Sequence, residues 1–207
     1  MARRSRAEMM DETRRKLLAS ARAAFAEKGF SDTSMDDLTA AVGLTRGALY
    51  HNFGDKRGLF AAVVDQIDAE MASRARSLAE AENTAWQALL AEGSAYIEMA
   101  LDAEVQRIVL RDGPAVLGDP ACWPSQNRCL DATRTTVAQL LAEGTLRPVD
   151  VEAASRLLNG AALNAALWVA ACDDPAATLP KAQAAFRMLA EGLLTKDPAG
   201  ADRRSGS

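Results

Sequence analysis

The amino-acid sequence predicts an all-α protein. A three-helix, helix-turn-helix head precedes a larger helical body, about nine helices in all. Three observations carry this. The chain is 49% hydrophobic but only 5% aromatic, rich in alanine and leucine and poor in β-branched runs. Its apolar residues recur at helical spacing almost throughout. And Met35 to Lys56, MDDLTAAVGLTRGALYHNFGDK, reads as a short helix, a glycine turn, a second short helix and a capped start into a third. That is the outline of a unit that lays one short helix in a DNA major groove.

The elements follow in order. Glu12 to Glu27 forms the first helix, with Leu17, Leu18, Ala21, Ala24 and Phe25 on one face, and Gly29 ends it. Ser34 caps the second helix, whose first turn carries Asp36 and Asp37, placed to suit the helix dipole. Gly43 supplies the turn, and Thr45 caps a third helix reaching Asn52. A long fourth helix from Lys56 to about Ala81 presents Leu59, Phe60, Val63, Val64, Ile67 and Met71. Helices follow over Thr84–Ala103 and Glu104–Arg111, then a Gly- and Pro-rich break, then Cys122–Glu143, Asp150–Cys172 and Leu179–Lys196. This divides the chain into a head at 1–55 with a flexible basic arm, a body at 56–197 and a disordered tail at 198–207.

The net charge of −4 alone speaks against nucleic acid, but its distribution does not. Residues 1–57 hold 11 Lys+Arg against 8 Asp+Glu, a net of +3, and the remainder nets −7. A basic head on an acidic body offers only its head to phosphate; a basic tail without a role is the alternative. No apolar run is long enough to span a membrane, and the basic start lacks the apolar stretch of a signal peptide. Three cysteines do not make a disulfide framework, so a cytoplasmic, reduced protein is expected.

The third helix, TRGALYHN, has small residues at Gly47 and Ala48 that let backbone approach a base edge. Arg46 suits a guanine edge or a phosphate. Tyr50 and His51 carry polar tips for phosphate oxygens, Leu49 and Phe53 anchor inward, and Lys56 adds a cation at the start of the fourth helix. Thr33 and Ser34 are placed for similar phosphate contacts. The bland alternative is a helical hairpin with surface polar residues.

From Ala21 to Phe60, the residues Phe25, Gly29-Phe30, Thr33-Ser34, Gly43, Gly47, Leu49-Tyr50-His51, Phe53 and Lys56 resemble the N-terminal domain of the tetracycline-repressor (TetR/AcrR) family of transcriptional regulators. The resemblance implies a homodimer whose first three helices bind double-stranded operator DNA. It also implies a C-terminal regulatory and dimerisation domain that binds a small-molecule inducer. By match, Thr33, Thr45, Arg46, Tyr50, His51 and Lys56 take DNA-contact roles. Asn52-Phe53-Gly54 departs from members that carry a second histidine and a proline there. Arg3, Arg4 and Arg6 resemble the family's DNA-reaching arms.

The body is less legible. Trp86, Tyr96, Met99, Arg107, Arg111, Trp123, Asn127, Asn164 and Trp168 are the candidate ligand-pocket residues, a mix suited to an apolar or aromatic inducer; core filling is the alternative for the large ones. Leu157, Gly160, Ala161, Ala182, Phe186, Leu189 and Leu193 are candidates for a two-fold four-helix dimer surface, with single-chain packing as the alternative for part of the stripe. Cys122 and Cys129, seven apart on one expected helix, leave open a metal or thiol-stress sensor, with buried, inert cysteine the competing reading. His51 is the sole histidine, and no acid/base or nucleophile cluster stands out, so no enzyme, cofactor or metal site is expected.

Overall fold

The structure is a computed structural model and describes residues 6–195. Arg3, Arg4 and the tail from 198 lie outside the described residues, as do the side chains of Arg6 and Asn127. Among the described residues there are nine α-helices: α1 (Arg6–Asp32), α2 (Met35–Ala40), α3 (Arg46–Phe53), α4 (Lys56–Glu80), α5 (Ala85–Glu98), α6 (Gly113–Leu117), α7 (Pro124–Ala142), α8 (Val151–Ala171) and α9 (Pro175–Glu191). A π-helical segment, Val105–Asp112, precedes α6. The only β-type pairing among them is an isolated bridge between Leu146 and Leu194, which ties the residues just after α9 to the α7–α8 turn.

Side-chain caps fix most of the starts. Ser34, Thr45, Asp55, Thr84, Asp150 and Asp174 each accept a hydrogen bond from the backbone N–H three residues on. Each such cap is worth about 1 kcal/mol. The last of these moves a boundary. The sequence reading starts the final helix at Leu179, but α9 starts at Pro175 behind the Asp174 cap. Proline suits the first helical position at Pro175, whereas Pro180 lies inside the helix on its exposed side and removes the bond to the Ala176 carbonyl.

The head has its own apolar centre. Leu17, Ala21 and Phe25 of α1, Leu38 of α2 and Leu49 of α3 meet Leu59, Phe60 and Val63 of α4, all essentially without solvent contact. Phe25 and Phe60 pack edge to face at 5.1 Å, and Phe30 closes the trio at 5.0 Å from Phe60. Such pairs add about 0.5–1.5 kcal/mol beyond the area they bury. Because Phe60 and Val63 belong to α4, the long helix is shared between head and body. Its later turns, through Ile67, Met71 and Ala75, pack on α5, which in turn packs on α7, α8 and α9.

A second connection joins α1 to the π-helical segment. Gly29 kinks α1 at φ 79°, a left-handed value that favours glycine. A methyl group there would fall 2.0 Å from the Arg107 guanidinium. Arg107 Nη2 donates to the Lys28 carbonyl at 2.8 Å, and the Phe30 N–H donates to Asp112 Oδ2 at 2.7 Å. Arg107 and Asp112 are five apart, adjacent on a π-helix, and both reach α1 from one face. Arg22 of α1 adds paired bonds to Glu104, both at 2.7 Å, and to Glu70 of α4, both at 2.8 Å. The sequence places Arg107 among the pocket candidates, but the structure sets it at the joint between head and body. Arg111 is exposed beside it.

Candidate functional site

The outer face of the head is built by α2 and α3. Tyr50 is 53% exposed, His51 and Gly47 lie on the surface, and nothing obstructs a Cβ at Gly47 closer than Thr45 Oγ1 at 3.6 Å. Ser34 and Thr45 use their side-chain oxygens as acceptors for helix caps, at 3.0 and 3.3 Å, which leaves each hydroxyl proton free to donate outward. Arg46 is held by both carboxylate oxygens of Asp36, an ion pair on the surface between α2 and α3. The pair holds the Asp36 carboxyl below its ordinary range, through the Arg46 hydrogen bonds first. Lys56 lies over the Phe30 ring at 4.4 Å, with its Nζ 3.4 Å from the Ser31 carbonyl. Partial burial lowers its pKa.

Thr33 is a correction. It is 1% exposed, and its hydroxyl donates to the Gly29 carbonyl at 2.7 Å, inside the α1–α2 turn. Its role is to hold that turn, so its side chain is not on the DNA-facing surface. Arg14 was not anticipated. It covers the Phe53 ring at 4.5 Å and donates to the Asn52 carbonyl at 3.2 Å, closing the C-terminal end of α3. No local motif announces this, because 38 residues separate the partners.

Inside the body, α4, α5, α7, α8 and α9 enclose a cavity of about 50 Å³. Its apolar wall comes from residues such as Ala72, Leu89, Leu158 and Phe186; its polar groups are Glu92, Tyr96, Gln126, Cys129, Thr133 and Asn159. Gly93 lets Phe186 lie directly on α5, since a methyl there would stand 2.3 Å from the ring. Gln126 donates from Nε2 to the Tyr96 hydroxyl at 3.2 Å and towards the buried Asp68 carboxylate at 3.3 Å. Burial pushes the Asp68 carboxyl above its ordinary value, against hydrogen bonds from Ser125 and Gln126. Tyr96 is also raised, chiefly by burial.

Of the expected pocket residues with described side chains, Tyr96 alone lines this cavity. Met99 is buried in the core, and Trp86 packs half-buried against it. Trp123 is buried with its ring edge against Gly113 and faces a separate surface groove between α4 and the start of α7. Asn164 and Trp168 point away from the cavity, Trp168 with half its surface exposed. Glu92, Gln126, Thr133 and Asn159 were missed. Their polarity alone did not mark them, since most such residues sit on the surface.

Leu157, Gly160, Asn164 and Trp168 fall three or four residues apart on the outer face of α8. Leu157 is 74% exposed, and Met188 and Leu189 of α9 are 71% and 66% exposed. Ala161 and Leu193 are half-buried against the core. Ala182 and Phe186 do not belong to this outer face: they are 2% and 4% exposed, and helix periodicity turns them inward towards α5. The cysteines also separate. Cys122 is exposed in a turn before α7, while Cys129 lines the cavity with its thiol pushed up to about 11 by burial and by Asp68 and Glu92. A thiol held protonated is a poor ligand and nucleophile. Among the described residues, no three His, Cys, Asp or Glu side chains cluster as a metal site.

Comparison with known proteins agrees with this geometry. Residues 17–63 match the family model of bacterial regulatory proteins of the tetR family. Residues 86–193 match the model of the tetracyclin repressor-like C-terminal domain. The chain belongs to the TetR family. It is a DNA-binding transcriptional regulator and not an enzyme. It is similar to the HTH-type transcriptional repressor AcnR of Corynebacterium efficiens, 30% identical over 143 residues, covering 67% of this chain and 73% of that protein. A crystal structure of a TetR-family transcriptional regulator from Pectobacterium atrosepticum shares 48% identity over 93% of this chain and 99% of its own, with a TM-score of 0.82. RolR in complex with resorcinol shares the fold at a TM-score of 0.66 and 21% identity, over 92% of this chain and 99% of its own. No helix among the described residues is long and apolar enough to cross a membrane.

Proposed function

We propose that this TetR-family regulator is a cytoplasmic homodimeric repressor, released from a near-palindromic operator by a small molecule held in the inner cavity. The observation that carries the reading is the course of α4. Its first turn, at Lys56, adjoins α3, its middle packs under the head, and its later residues Ala72 and Ala75 line the cavity. Residues 1–55 would act as the DNA-binding domain and residues 56–197 as the ligand-binding and dimerisation domain. Widening the cavity displaces α4, and the joint at Gly29 and Arg107 carries the movement into α1.

On DNA, Tyr50, His51, Ser34, Thr45 and Lys56 would donate to phosphates, while Gly47 permits close approach. Arg46 would exchange Asp36 for a guanine edge or a phosphate. The exposed stripe of α8 and α9 would close a four-helix bundle with a second copy, spacing two α3 helices along one face of the duplex. A ligand that binds the DNA-incompetent arrangement a few kcal/mol more tightly is enough to empty the operator.

The test is selection of genomic fragments by the purified protein, followed by sequencing, with Tyr50→Ala as control. Enrichment of a near-palindromic sequence by the natural protein, lost in the variant, is the expected result. Equal recovery by both proteins would overturn the reading.

A further inference from the structure

The inner cavity has a one-sided electrostatic character. Glu92 of α5 lines it half-buried and forms no hydrogen bond or ion pair with another described residue. Burial pushes its carboxyl above the ordinary range, with Arg76 acting against this from a distance. Asp68 stands behind Gln126 as a second acid, 1% exposed. No lysine or arginine is among the described residues that line the cavity.

Among the neutral polar groups Gln126 leans the same way, whereas Asn159, its oxygen taken by Thr133, offers its amide nitrogen. The Gln126 amide nitrogen is occupied by the Tyr96 hydroxyl and Asp68, so the end of this side chain left without a described partner is its carbonyl oxygen, an acceptor. A half-buried carboxylate without a partner is costly, and a cationic donor is the group that relieves it best. An anion would face Glu92 and Asp68 directly, with Arg76 and Arg128 acting only from outside the lining. A neutral apolar molecule would leave Glu92 unpaired and shield it further from water.

We infer that the cavity takes a small organic cation, a protonated amine on a short apolar body, with the amine against Glu92 and the Gln126 carbonyl and the body along Leu89, Ala162 and Phe186. This rests on the reading of the cavity as the inducer site. A cavity of about 50 Å³ holds about three to five water-sized groups, so an amine on a body longer than that must push the lining outward. Phe186, seated on Gly93, is the bulkiest apolar side chain of the wall.

The experiment compares n-butylamine, n-butanol and butyrate at neutral pH, which share one tail and differ in head charge. Binding to the full-length protein is read by ligand-observed NMR and calorimetry, and operator release by gel shift. Butylamine is expected to bind at least about tenfold more tightly than either analogue. Glu92→Gln is expected to remove that preference while circular dichroism and butanol binding stay unchanged. Gln126→Leu, a second variant, is expected to weaken butylamine by a smaller factor. The inference is overturned if butanol or butyrate binds as well as the amine, if Glu92→Gln binds the amine undiminished, or if the amine does not bind. Amine binding through Glu92 without operator release would leave the ligand class standing and sink the inducer reading. Release by butyrate or butanol would do the reverse.

Discussion

The head and the body present opposite surfaces. Around α3 the head exposes small and polar groups, Gly47, Tyr50 and His51, over a sealed aromatic core. Along α8 and α9 the body exposes Leu157, Trp168, Met188 and Leu189, while its polar groups Glu92 and Gln126 turn inward. A surface meant for a charged duplex can stay wet until it binds. Apolar side chains of this size, gathered on one face, support the proposed contact with a second copy. On the proposed reading, the difference teaches where partner information is kept: outside and contiguous in the head, divided between an inner cavity and an outer face in the body.

The sharpest way to break this contrast is Phe186→Ala. The structure puts Phe186 in the subunit core, so truncation should cost about 3–5 kcal/mol of stability, read by chemical denaturation, with the dimer intact by light scattering. Dissociation of the dimer without loss of subunit stability would return Phe186 to the interface. The complementary change, Leu157→Glu with Leu189→Glu, should give monomers and lower operator affinity at least about 100-fold through loss of two-headed binding. Dimers that persist in light scattering would remove the outer stripe from the interface.

In the head, Lys56→Ala should weaken operator binding about tenfold, similarly across sequences, and lower the salt slope by about one. A salt titration that superimposes on the natural protein's would take Lys56 off the phosphates. The smallest effect concerns Asp68. With its pKa raised on folding, the folded state keeps a proton that the unfolded chain gives up above 3.8. Stability therefore falls as pH rises through the window between that value and the higher folded one. Asp68→Asn should raise the melting temperature at mildly alkaline pH, and the gain should shrink as pH falls towards 3.8. A gain that does not change with pH would rule out this cause.

These differences follow what the sequence could express. Ser34 and Thr45 are legible because a cap and the helix it starts lie within a few residues of each other. Leu49 is legible because helical spacing turns it inward. The cavity is not, because its wall runs from Ala72 to Phe186 across five helices, and only folding brings Glu92 beside Gln126. Phe186 and Leu189 differ by three positions and share apolar character, yet one faces the core and the other faces outward. Periodicity gives their relative angle but not which side meets α5. Thr33 was misplaced for a related reason: its hydroxyl is taken by a backbone carbonyl four residues earlier, and composition does not show that.

The fit of Arg107 over Gly29 has a mechanical reading. The guanidinium occupies the space that a Cβ at position 29 would need, and its Nη2 donates to the Lys28 carbonyl. With the Phe30 bond to Asp112, α1 and the π-helical segment are fastened at two points, like two plates held by a rivet. A cushion in the same place would absorb a displacement of the body before it reached the DNA. On the proposed mechanism, loosening the rivet with Arg107→Ala is expected to leave operator binding intact and to weaken release by ligand, read by gel shift.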